Sequence, residues 1–199
     1  MSDRGIILKT ICILLICLLP ASVNAQEVVL TENGIDGLNI GANSLVSIEE
    51  IENSFPGLAV TQQEGYWEGP DFDKFSVTDQ SGNLLFEIVS YRDDEKKANN
   101  EEYPIHKIYL GDNIADEYGI KRGDKISKAV SLRKHDLELI DNHDDNSIGK
   151  FKIYYKFNYP LTQDEIEKQG GVNWGFAPSI EEAINRNVLI DHVVWINWP

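Results

Sequence analysis

The sequence predicts an α+β domain built on an antiparallel β-sheet with two or three short helices, and three observations carry that expectation. Apolar and polar residues alternate in several short runs, the period-two signature of strands with one solvated face. The helical stretches are marked by caps rather than by length. A helix, strand, turn, strand order occurs twice, as "SIEEIENSF…LAVTQQEG…DKFSVTDQ" and "GDKISKAVS…HDLELIDN…KFKIYYKF". Two such units could share one sheet, although chance recurrence of short elements in a strand-rich chain produces the same pattern.

The chain opens on a leader. Arg4 and Lys9 precede an apolar run from Thr10 to Leu19, about half of the roughly 20 residues a membrane-crossing helix needs. Pro20 stops the run, and Val23 and Ala25 are small enough for signal peptidase to cleave before Gln26. The expectation is a cleaved secretory signal over 1–25 and one domain over 26–199, periplasmic or secreted, with no membrane insertion after cleavage. An uncleaved anchor is the alternative, and the shortness of the run argues against it. A lipid-modified cysteine would follow a small residue, whereas Cys12 follows Ile11 and Cys17 follows Ile16. Cleavage would remove both cysteines, so disulfides, thiol catalysis and zinc–thiolate sites are not expected.

Ser47 precedes "IEEIENSF" with Glu50 in the capping-box position, and Pro56-Gly57 closes that helix. "LAVTQQ" reads as a strand. "DKFSVTD" at 73–79 and "NLLFEIVSY" at 83–91 read as a hairpin across "QSG", and "IHKIYL" at 105–110 adds a strand. A helix through "DKISKAVS" starts from Asp124, and "DLELID" is strand-like. In "FKIYYKF", Phe151, Ile153, Tyr155 and Phe157 share one face, and Lys152, Tyr154 and Lys156 share the other. Ser179 and Glu182 frame a helix over "IEEAINRN" with Asn187 as its C-cap, and "NVLIDHVVWIN" is the last strand.

Charge narrows the functional classes. The chain has 18 Lys+Arg against 33 Asp+Glu; without Asp3, Arg4 and Lys9 the balance is 16 against 32, a net charge of −16. Such a chain repels nucleic acid and anionic lipid, which are bound chiefly through Lys and Arg. It suits a basic protein or a glycan partner, or serves solubility alone.

Chemical motifs are sparse. "DNHDDNS" gathers Asp141, His143, Asp144 and Asp145, but it lacks the glycine and closing glutamate of a calcium-binding EF-hand loop and reads as a hairpin turn. His106, His135, His143 and His192 form no HExxH pair, and no GxSxG surrounds a serine. His106 and His192 fall in strands and read as structural. No catalytic residue, metal or cofactor is assigned. Two loops look like recognition surfaces: "EGYWEGPDFDKF", with Tyr66 and Trp67 as anchors beside Asp71 and Asp73, and "GGVNWGF", with Trp174. Trp195 and Trp198 are assigned to packing.

The order of "NGIDGLNIGANS", "SIEEIENSFPGLAV", "GIKRGDKIS" and a terminal "HVVWINWP" resembles the RpoE-regulated envelope lipoprotein family, a group of bacterial secreted proteins. The resemblance implies a bacterial envelope setting and an α+β fold. This chain departs from the family in lacking a lipobox cysteine, and the family supplies no catalytic residues to carry over. The functional expectation is a non-enzymatic binding module for a protein or glycan, restraining a basic hydrolase such as a lysozyme in one version. The alternative is a periplasmic hydrolase using two of the many carboxylates.

Overall fold

The computed structural model describes residues 28–38, 45–65, 72–91, 103–133, 137–142, 145–150, 152–168 and 178–197. In chain order the strands are β1 (Leu30–Thr31), β2 (Gly34–Ile35), β3 (Leu45–Val46), β4 (Ala59–Gly65), β5 (Phe72–Thr78), β6 (Leu84–Tyr91), β7 (Tyr103–Pro104), β8 (Lys107–Leu110), β9 (Glu138–Asn142), β10 (Asp145–Lys150), β11 (Ile153–Phe157) and β12 (Ile190–Ile196). The helices are α1 (Ile48–Ser54), α2 (Ile126–Arg133), α3 (Gln163–Lys168) and α4 (Ile180–Asn185).

Eight strands form one antiparallel sheet in the order β4-β5-β6-β8-β12-β11-β10-β9, while β1-β2 and β3-β7 form two small ribbons. The α+β architecture is thus as the alternation predicts. The order is palindromic: a helix followed by four strands builds each half, and the fourth strands, β8 and β12, meet at the centre. The recurring helix, strand, turn, strand pattern corresponds to these two halves.

Residues paired across antiparallel strands share a face, so the register assigns the two faces. On one, Val77, Phe86, Phe75, Ile88, Ile108, Trp195, Ile153, Val193, Tyr155 and Ile148 are buried in a single cluster. Ile51 and Phe55 of α1 and its C-cap, Ile126 and Ala129 of α2, and Ala183 of α4 complete it. The Phe55 ring meets the Phe86 ring edge-on at 5.4 Å. Each large side chain so buried stabilises by roughly 1.5–3 kcal/mol relative to exposure, so packing alone supports the fold. Trp195, fully buried, is a packing residue as expected.

Local chemistry sets the element ends. Ser47 Oγ accepts the Glu50 N–H at 3.1 Å, one half of a capping box. At Ser179 both halves form, with Glu182 reaching back to the Ser179 N–H at 2.8 Å. Asn187 takes φ +53° just beyond α4. Its N–H donates to Ile184 O, and that of Val188 donates to Ala183 O, at 2.9 and 3.0 Å, a Schellman closure. The β5–β6 hairpin turns on Asp79, whose carboxylate accepts the N–H groups of Ser81 and Asn83 at 2.8 and 2.9 Å, with Gly82 supplying φ +82°.

Three elements depart from the sequence expectation. The strand predicted over 105–110 is confined to Lys107–Leu110, because the His106 N–H bonds Val89 O while His106 Nδ1 accepts the Tyr91 N–H, both at 3.0 Å. The polar stretch 145–150 is a strand, β10, rather than only a turn. Helix α3, with no buried residue, has no counterpart in the prediction.

Candidate functional site

Among the described residues, every buried apolar helix side chain belongs to the core cluster. Helix α3, with none, is tied to the end of α4 through Glu165 and Arg186. No described helix therefore covers the second face of the sheet, and its composition follows from register. One row across it runs Thr61, Ser76, Glu87, Tyr109, Val194, Tyr154, Gly149, Glu138, from β4 to β9. The row on one side contains Lys74, Val89, Lys107 and Ile196, and the row on the other contains His192, Lys156 and Ser147.

The middle of this face is apolar and the flanks are charged. Val89, Val194 and Tyr154 are buried yet stand outside the core cluster. Tyr154 lies flat across β10, where a Cβ on Gly149 would come within 2.3 Å of the ring. Tyr109 is the hub, with Lys156 Nζ 5.9 Å from its ring centre and His192 packed edge-on at 5.9 Å. Two residues back along β8, Lys107 Nζ lies 5.5 Å over the Tyr91 ring. Lys74 pairs with Glu87 at 3.1 Å, and Ser76 Oγ donates to that carboxylate at 2.9 Å. The register places Lys74, Lys107, Lys156 and the exposed His192 on this side together with Glu87, Glu138 and Asp145, in a chain where acids outnumber bases by 33 to 18.

A second cluster of titratable groups is buried on the core side. Tyr155 OH donates to Asp116 Oδ2 at 2.6 Å, while the N–H groups of Tyr118 and Ile120 donate to Oδ1 at 3.0 and 2.9 Å. Burial pushes the Asp116 carboxyl up despite those donors. Burial, reinforced by the Asp116 charge, pushes the Tyr155 phenol far up. Beside them the guanidinium of Arg133 donates to Ile153 O at 3.1 Å and to Glu32 Oε1 at 2.8 Å, under the Tyr118 ring at 4.5 Å. Glu32 also accepts the Lys152 N–H at 2.9 Å, and its carbonyl accepts Trp195 Nε1–H at 3.1 Å. These bonds fasten the β1–β2 turn to α2, β11 and β12. Perturbed groups of this kind mark functional sites or structural networks; here the bonds of Tyr155 to Asp116, of Arg133 to Ile153 and Glu32, and of Lys152 and Trp195 to Glu32 join separate segments, the geometry of a fastening.

Of the residues expected to bind, Tyr66, Trp67, Asp71 and Trp174 lie outside the described residues, as do His135, His143, Asp144 and Trp198. Asp73 is described and corrects the expectation of a steering surface acid. It sits on β5 with 0% exposure, and Gln62 Nε2 donates to it at 3.0 Å. Its position opposite Ser90, on the face that carries Phe75, turns it inward. His106, just ahead of β8, is hydrogen-bonded and structural as expected, whereas His192 lies in strand β12 as expected but is exposed, its ring edge-on to Tyr109. No group of three or more His, Cys, Asp or Glu able to hold a metal ion occurs among the described residues. None of their helices is long and apolar enough to cross a membrane.

Sequence reasoning missed the Tyr109 face of the sheet because its members span Thr61 to Ile196. The signal within reach was the Tyr154–Lys156 side of "FKIYYKF".

No family model and no curated protein matches the chain. Among solved structures it is similar to the crystal structure of the uncharacterized protein yfeY from Escherichia coli, with a TM-score of 0.53 and 17% identity over 84% of this chain and 99% of that one. At that identity the likeness shows the fold.

Proposed function

We propose that the protein is a non-enzymatic binding module of the bacterial envelope, whose recognition surface is the Tyr109 face of the eight-stranded sheet, which no described helix covers. The observation that carries this reading is the composition of that face, an apolar and tyrosine-rich middle between charged flanks. Aromatic centres with polar rims are the anatomy of protein interfaces, and tyrosine contributes large contact area at the cost of two ordered torsions. The fastened network around Asp116 and Arg133 supports the reading indirectly, since it gives the perturbed groups a structural task.

The envelope setting rests on the leader, with Arg4 and Lys9 before the apolar run and a cleavage site before Gln26, and on the resemblance to the RpoE-regulated envelope lipoprotein family. Mass spectrometry of the exported protein should find Gln26 at the N-terminus; an intact Met1 would refute export with cleavage. The binding reading is tested by capture from an envelope extract. Tyr109→Ala should lose the captured partner and Trp67→Ala should retain it. The reverse outcome would move the site to the loop at 66–71.

A further inference from the structure

We infer that Asn33 is a modification site: its side-chain amide is converted to a carboxylate by attack of the Gly34 main-chain nitrogen, at a rate set by how often the Glu32 fastening opens. Asn33 is the only asparagine in the sequence that a glycine follows. Glycine lacks the Cβ that would crowd a ring closing between its nitrogen and the preceding side chain. The pair lies at the β1–β2 turn, where Thr31 and Gly34 face one another across a loop of Glu32 and Asn33. Asn33 is exposed there, while Gly34 is buried at φ +103°. Thr31 Oγ1 accepts the Asn33 N–H at 3.2 Å and donates to Gly34 O at 3.0 Å, so the loop is also bonded to itself.

The chemistry needs only water. Solvent base takes the proton of the Gly34 N–H, and the nitrogen attacks Asn33 Cγ. The new N–Cγ bond closes a five-membered imide, the Cγ–Nδ2 bond breaks, and the side-chain nitrogen leaves as ammonia. Water then opens the imide at either carbonyl, giving aspartate at position 33 or an isoaspartate whose main chain runs through Cγ and is longer by a methylene. Nothing is oxidised or reduced.

The position gives this step a gate and a consequence. Glu32, the preceding residue, accepts the Arg133 guanidinium at 2.8 Å, the Lys152 N–H at 2.9 Å and the Tyr118 hydroxyl at 3.3 Å on its carboxylate. Its N–H donates to Glu117 Oε1 at 2.7 Å, and its carbonyl accepts Trp195 Nε1–H at 3.1 Å. These bonds hold the loop against the body of the domain, whereas the ribbon itself is two residue pairs long. The buried Gly34 nitrogen reaches the Asn33 side chain when the loop opens locally, and Glu32 sets how often it does. A main chain lengthened next to Glu32 cannot return that residue to all of its partners, so the isoaspartate leaves the ribbon loosened.

The test is peptide mapping of the purified protein after prolonged incubation in mildly alkaline buffer, with protein L-isoaspartate methyltransferase as the probe of the rearranged product. Asn33 should be converted several-fold faster than any other asparagine, with isoaspartate the larger product, and more slowly as the buffer is acidified. Asn33→Gln, whose side chain would have to close a larger ring, should fold as the parent does and accept no methyl group at that position. Glu32→Gln, which weakens the bond to Arg133, should stay folded by circular dichroism and speed conversion several-fold; the parent in urea should convert faster still. The isoaspartate form, separated by ion exchange, should unfold at lower urea than the parent. Asn33 intact in the folded protein but converted in urea would overturn the proposal, as would faster conversion at another asparagine. An unchanged rate in folded Glu32→Gln would overturn the gate, and an isoaspartate form as stable as the parent would overturn the consequence.

Discussion

Asp116 is a buried carboxylate that ties its own loop to β11, and its energetics are testable. Three donors, from Tyr118, Ile120 and Tyr155, converge on it. Asp116→Ala would orphan them in a buried site, and the expected loss is roughly 3–5 kcal/mol in urea unfolding. Asp116→Asn keeps an acceptor for the two N–H groups and should cost less. Because burial raises the folded-state pKa above the ordinary aspartate value, the stability tied to this group is fully present below that value. It is lost as pH rises through the folded pKa. The deficit of Asp116→Asn relative to the parent should therefore shrink between pH 4 and pH 7; a deficit that grows with pH would contradict the assignment. No motif in the sequence foretells this site. Asp116 stands in a loop, and its partners come from residues 118, 120 and 155, so only the folded chain brings them together.

At the scale of elements, short helices depend on their ends. Ser179→Ala removes one half of a complete capping box and should lower stability by about 1 kcal/mol in thermal unfolding. The equivalent loss at Ser47 should be smaller, since one bond rather than two is at stake. Helix α3 is fastened by Glu165, which the hydrogen-bonded guanidinium of Arg186 holds at a pKa of about 2, below the ordinary glutamate value. The sign follows: the stabilising bond is present above pH 4.5 and lost as pH falls towards 2. Side-chain ¹³C NMR should find the Glu165 midpoint near 2 in the parent and raised in Arg186→Ala, where the Thr162 N–H and hydroxyl still donate to the carboxylate and keep it below the ordinary glutamate value. What was legible at this scale was what carries local chemistry: the caps at Ser47 and Ser179, the Asp79–Gly82 turn and the alternating strands. Strand β10 was not, because "DNSIGK" has turn composition and places a glycine under Tyr154. Helix α3 was not, because a helix that buries nothing leaves no apolar period.

At the scale of the whole molecule, strand order creates the recognition surface. Tyr109 and Lys156 are 47 positions apart in the chain, and they meet because β8 pairs with β12 and β12 with β11. Alternation indicates which residues of one strand share a side, but not which strand lies next to it, so the face was beyond the reach of sequence patterns. The two expected recognition loops were legible as composition alone, since glycine, proline and aromatic residues mark a loop without saying what it touches. The central claim is that the partner covers the Tyr109 face of the sheet, and lysine acetylation footprinting with and without envelope extract tests it most directly. Lys107 and Lys156 should be protected several-fold when extract is present, while Lys125 and Lys168 react at unchanged rates. Protection of Lys125 and Lys168 with Lys107 and Lys156 unaffected would contradict the claim.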